Sequence, residues 1–122
     1  IGTQTGWSDF YDCGAEPDNI GTVSSLDARH QIKWHSVPFS RHIVYAVTFS
    51  DLFVKTGLNF DFISLDVEGT NLDLFYHLPF GQESLRMICV EHDSHNEVMA
   101  RHVAQFGFKQ RAINGENLIL AR

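Results

Sequence analysis

Residues Phe60 to Leu78, FDFISLDVEGTNLDLFYHL, join an apolar run to two carboxylates, a glycine and a helical pattern, an order that leaves few folds open. Phe60, Phe62, Ile63, Leu65 and Val67 read as a buried strand over Asp61–Val67. Asp66 and Glu68 stand at its end, followed by Gly69. Thr70 or Asn71 then caps a helix whose inward face is Leu74, Phe75 and Leu78, stopped by Pro79 and Gly81. In an open α/β sheet, ligands gather at the carboxyl ends of strands, where the backbone breaks toward a helix. If the strand runs on through both acids, alternation points Asp66 and Glu68 to one face. They are either a site or the solvated cap of a strand end.

The pattern around this stretch sets the class. Ser50 caps a short helix, Asp51–Thr56, ended by Gly57. Arg86–Glu91 is a near-continuous apolar strand of the kind covered on both faces in a parallel sheet. Ser94 and Glu97 form a capping box, and Val98, Met99, His102, Val103 and Phe106 make one helical stripe closed by Gly107. Phe108–Ile113 and Asn117–Ala121 are strands joined by Asn114-Gly115, a hairpin signal. Helices alternating with strands imply an α/β fold with a mostly parallel sheet, right-handed crossovers and a closing antiparallel hairpin.

Residues 1–48 are strand- and loop-rich by contrast, within the same single domain. Trp7–Asp12, Gln31–Val37 and His42–Thr48 read as strands, and Gly14–Gly21 as a loop. Thr22–Leu26 is either a short edge strand or a loop near a ligand.

Composition excludes several classes. The net charge of −6, with nine scattered Lys and Arg, argues against nucleic acid. No apolar run approaches the ~20 residues needed to cross a bilayer, so no membrane partner is expected. Cys13 and Cys89 have neither metal nor disulfide spacing, which fits a reducing, cytoplasmic setting.

Candidate chemistry concentrates at two strand ends. If the strands ending at Asp66 and Glu91 are parallel neighbours, Asp66, Glu68, Glu91 and His92 converge, able to supply a general base or ligate a cation. No ligand pair has dedicated metal spacing, so no metal is expected. Asp61, Ser64, Asp66 and Glu68 also resemble the DxxDxDxE signature of chitinases with Ser64 in place of one acid, but that family needs a barrel of about 250 residues. His102, inside the apolar stripe, reads as a core histidine, while His30, His35 and His42 have no assignable role. No GxSxG, phosphate loop, CxxC or GxGxxG occurs.

Asp61 to Leu74 resembles the FkbM family of S-adenosylmethionine-dependent methyltransferases. The family strand reads roughly DFLSIDVEG before a helix opening (E/N)L(D/E); here it is Asp61-Phe62-Ile63-Ser64-Leu65-Asp66-Val67-Glu68-Gly69, then Asn71-Leu72-Asp73. Val47-Thr48-Phe49-Ser50-Asp51-Leu52 matches the family's VxTxxDL segment. Glu91-His92 and Gly107-Phe108 match the downstream strand and helix ends, and Ser24-Ser25-Leu26 and Ile1-Gly2 the upstream pattern. The resemblance spans essentially all 122 residues.

It implies a Rossmann-like class I methyltransferase sheet truncated at its N-terminal half, and methyl transfer to an oxygen of a small molecule or sugar. It implies catalytic roles for Asp66, Glu68, Glu91 and His92, and a cofactor role for Asp66 and Gly69. The family's Gly-rich turn lies upstream of Ile1, and the chain begins without Met, so a fragment or processed product is expected. Alone it should bind S-adenosylmethionine poorly or not at all. The strand at Asp61–Val67 should expose an edge that either pairs with a second copy or is covered by a rearranged N-terminal segment. The alternative is a non-catalytic methyltransferase-like module retained for binding or assembly.

Overall fold

The computed structural model describes residues 1–14 and 23–122; most of the loop expected at 14–21, and Thr22 after it, lie outside them. The described chain forms two compact units. One comprises Ile1–Thr48 with Val67–Thr70, the other Phe49–Asp66 with Asn71–Arg122.

The second unit is an α/β layer built on a four-stranded mixed sheet. Its strands are β3 (Phe62–Leu65), β4 (Met87–Glu91), β5 (Lys109–Ile113) and β6 (Asn117–Ala121), in the order β3-β4-β6-β5. β3 and β4 run parallel, while β4–β6 and β5–β6 are antiparallel. The expectation of a mostly parallel sheet is therefore corrected. The Asn114-Gly115 turn returns β6 into the slot beside β4, so only one pairing among the described residues is parallel. The turn is closed by the Asn114 side chain, whose Oδ1 accepts from the Glu116 and Asn117 N–H groups at 3.1 and 2.7 Å.

Alternation decides which sheet face is filled. Ile63, Leu65, Ile88, Val90, Leu118 and Leu120 are all buried. The helices α3 (Asn71–Phe75) and α4 (Asn96–Ala104) bury Leu74, Phe75, Met99 and Val103. Met87 and Phe62 on the other face stay exposed, so β4 is covered on one face and not on both. α2 (Phe49–Thr56) starts one residue before Ser50; Phe53 stacks on Phe49 at 6.2 Å and meets Phe60 at 5.4 Å. Gly57, at φ +64, ends it by donating to the Phe53 carbonyl at 2.8 Å.

Two local expectations fail here for identifiable reasons. Ser94 does not cap α4: it sits at φ +67, its N–H donates to His92 Nδ1 at 3.0 Å, and the cap position falls to His95 without a side-chain bond. β3 ends at Leu65, short of both acids, so strand alternation does not set the directions of Asp66 and Glu68.

The first unit is a ribbon with a short helix. β1 (Gly6–Asp12) and β2 (Ser40–Ala46) pair antiparallel from Gly6↔Ala46 to Asp12↔Ser40. Trp7 and Tyr45 are directly opposed and meet edge to face at 5.3 Å, and Tyr11 bridges to Ser25. The strand expected at Gln31–Val37 is instead α1 (His30–Lys33) and a turn. Asp27 explains the difference: its carboxylate takes the Arg29 N–H at 2.9 Å and its own N–H is held by Ser25 Oγ, which starts a helical turn. No helix of the described residues is long and apolar enough to cross a membrane.

Candidate functional site

In the second unit, Asp66 follows the last residue of β3 and Glu91 closes β4. Since Leu65 pairs with Val90 in parallel register, the two acids leave adjacent strands at the same end of the sheet. Behind them stands a residue read from the sequence only as a possible cap. Asn71 is fully buried at 0% exposure. Its Nδ2 donates to Glu91 Oε2 at 2.6 Å and to Asp93 Oδ2 at 3.0 Å. One amide thus holds two carboxylates that would otherwise repel each other. A signal for this existed: Asn71, Leu74, Phe75 and Leu78 fall at i, i+3, i+4 and i+7, which puts the amide on the buried stripe.

The turn after β4 is tightly held. Asp93 and Ser94 both have positive φ, +45 and +67, a conformation uncommon outside glycine. It persists because His92 is fixed on three sides. Its N–H donates to the Glu116 carbonyl at 2.9 Å, its carbonyl accepts from His95 N–H at 2.6 Å, and Nδ1 accepts from Ser94 N–H. With Nδ1 used as an acceptor, the neutral ring carries its proton on Nε2, which is buried. A general base needs an open lone pair. His92 in this arrangement offers a donor, and Glu91 the basic oxygen.

Glu68 belongs to the first unit with Gly69, and its surroundings are different. The Val67–Thr70 turn is closed by a 3.1 Å bond from Thr70 N–H to the Val67 carbonyl. Gly69 takes φ +84 at the position where such turns call for glycine. The Ser25 hydroxyl donates to the Glu68 carbonyl, and His30 Nε2 lies 3.1 Å from Glu68 Oε2. A side chain on residue 69 would meet His30: a Cβ there comes within 3.0 Å of Nδ1. The sequence alone assigns His30 no role, because that role depends on a turn nearly forty residues away.

A nucleotide cofactor needs open backbone at a strand-to-helix turn. Among the described residues the glycine between β3 and α3 is Gly69, and its Cβ side is filled by His30. His102, as expected, packs among rings: Tyr76 at 4.7 Å, Phe80 at 5.4 Å and Phe106 at 5.7 Å.

No protein-family model, curated protein or solved structure matches this chain.

Proposed function

We propose that the chain is the carboxyl-terminal portion of a FkbM-like, S-adenosylmethionine-dependent methyltransferase domain with a Rossmann-like sheet, which in whole form methylates an oxygen of a small molecule or sugar in the cytoplasm. The observation that carries this reading is the buried Asn71 amide holding Glu91 and Asp93 at the end of a strand parallel to acid-tipped β3. Acids fixed at that end of an α/β sheet suit an incoming hydroxyl, because a carboxylate orients the O–H and can take its proton. Asp66 and Glu91 would hold the acceptor, and His92, whose ring is buried, would fix the turn that carries Glu91. When bound, the cofactor supplies the electrophilic methyl group; the residues of this chain supply position and desolvation.

The test has two parts. Calorimetry of the chain with S-adenosylmethionine should give no low-micromolar affinity. The longer encoded protein, with labelled methyl donor and polar hydroxyl acceptors, should transfer label, and Glu91→Gln should abolish transfer. Transfer unaffected by Glu91→Gln would sink the assignment.

A second reading, an assembly module, is favoured by one feature. β3 pairs only with β4 among the described residues, and Phe62 on it is 45% exposed. Such an edge invites a second copy. Light scattering on a concentration series should report a homodimer, and a monomer at high micromolar concentration overturns that reading. In-register antiparallel pairing would set Asp61 against Asp66 of the second copy, so dimerisation should strengthen with added salt.

A further inference from the structure

We propose that His30 is a positioning residue for Glu68, and that Ser25, His30 and Gly69 form one device that presents the Glu68 carboxylate; its use in methyl transfer rests on the reading above. Three observations within the first unit carry this. His30 is buried, and its Nε2 lies 3.1 Å from Glu68 Oε2. The N–H direction is out of line for a full hydrogen bond, leaving Nε2 a buried donor without an aligned acceptor among the described residues. A buried imidazole donor is costly to leave unmet, so the carboxylate is drawn toward it.

The second observation is on the backbone. The Ser25 hydroxyl donates to the carbonyl of the same residue, Glu68, so main chain and side chain are held from one side. Ser25 is itself tied down, exchanging two backbone bonds with Tyr11 at 2.8 and 3.0 Å. The third is steric. Gly69 has φ +84, and a Cβ there would stand 3.0 Å from His30 Nδ1. The glycine therefore permits the turn and lets the imidazole lie against it. A side chain at residue 69 would crowd His30 Nδ1, so the glycine leaves the ring room beside Glu68.

Glu68 is not sealed in: its side chain is 24% exposed, against 3% for His30. A carboxylate drawn by one oxygen toward a buried donor, on a side chain still partly exposed, has a preferred direction. That is what a group orienting a ligand hydroxyl requires. His30 acts through Glu68 and needs no contact with substrate.

The experiment is a double-mutant cycle with two readouts. The proteins are wild type, His30→Ala, Glu68→Gln and the double variant, with His30→Gln as the conservative replacement that keeps a donor. The first readout is activity-independent: long-range proton–nitrogen NMR of the imidazole. The expected result is an Nε2 signal that moves on Glu68→Gln. An unmoved signal overturns the dyad. The second is methyl transfer by the longer protein. There His30→Ala should lower kcat by about 10- to 100-fold with KM for S-adenosylmethionine unchanged, His30→Gln should restore part of it, and the effect should vanish in the Glu68→Gln background. Additive losses would overturn the positioning role. Absence of transfer by the wild type would sink the methyltransferase reading alone, with the dyad still decided by NMR.

Discussion

The two units of this chain are held by different physics. The second fills one sheet face with Ile88, Val90, Leu118 and Leu120 and closes it with Leu74, Phe75, Met99 and Val103, all essentially inaccessible. Among the described residues the first buries few apolar side chains, among them Cys13, Val23 and Ala46, and leaves Trp7 on its ribbon 75% exposed. Its order rests on directed polar contacts: Ser25 to Glu68, Asp27 to Arg29, His30 beside Glu68, and the Thr48 N–H on Thr5 Oγ1 at 3.0 Å. Apolar burial is non-directional and scales with area, so it tolerates a shift of a few tenths of an ångström. Hydrogen bonds do not. A residue supporting the second unit should be replaceable by another of like volume, whereas one supporting the first should not.

The largest expected effect tests the apolar side. Phe75→Ala should cost about 3–5 kcal/mol, read by denaturant unfolding, with amide protection lost first in β4 and β6. Protection lost equally in β1 and β2 would break the distinction between the units. Next is the polar exception within the second unit. Asn71→Leu keeps the branched shape, though it is larger, and deprives Glu91 and Asp93 of their shared donor. It should destabilise by roughly 1–3 kcal/mol despite being an apolar substitution at a buried site. A neutral or stabilising result in the same titration would mean that the two carboxylates are satisfied without it.

Gly69→Ala sharpens the other side of the comparison. The added methyl meets His30 and the backbone stays at positive φ, so about 2 kcal/mol should be lost, with NMR shifts centred on His30 and Ser25. The smallest effect concerns pH. The Arg29 guanidinium, hydrogen-bonded to Asp27, holds that carboxyl below its usual value of 3.8. A carboxyl depressed in the folded state stabilises above its unfolded pKa, and the gain fades as pH falls below about 4 through the folded value. Since Arg29 is largely exposed, the change should be about 0.5 kcal/mol or less, seen as a difference in acid unfolding between wild type and Asp27→Asn.

How far the fold could be read follows the same division. Helices, strands and their inward residues were legible in the second unit wherever burial wrote a period. Leu74, Phe75 and Leu78 face inward as read, and Gly57 and Gly107 end their helices at positive φ. Errors came where a side chain captured a backbone group. Asp27 turned an apparent strand into α1, and His92 took the Ser94 N–H and dissolved the capping box. Both involve local polar bonds that compete with regular structure and leave no periodicity. In the candidate site, Asp66, Glu68, Glu91 and His92 were visible as chemistry at strand ends. Asn71, which holds Glu91, and Ser25 and His30, which lie against Glu68, were not.

By itself the sequence determined that an acid-tipped apolar strand turns through Gly69 into a helix, because hydrophobic period, glycine and cap are local and act on neighbouring residues. Only the tertiary structure decided that β6 enters beside β4, that Asn71 joins Glu91 to Asp93, and that His30 lies against Glu68 and Gly69. Those outcomes depend on bonds between residues far apart in the chain, whose energy is realised only when the intervening segments have closed.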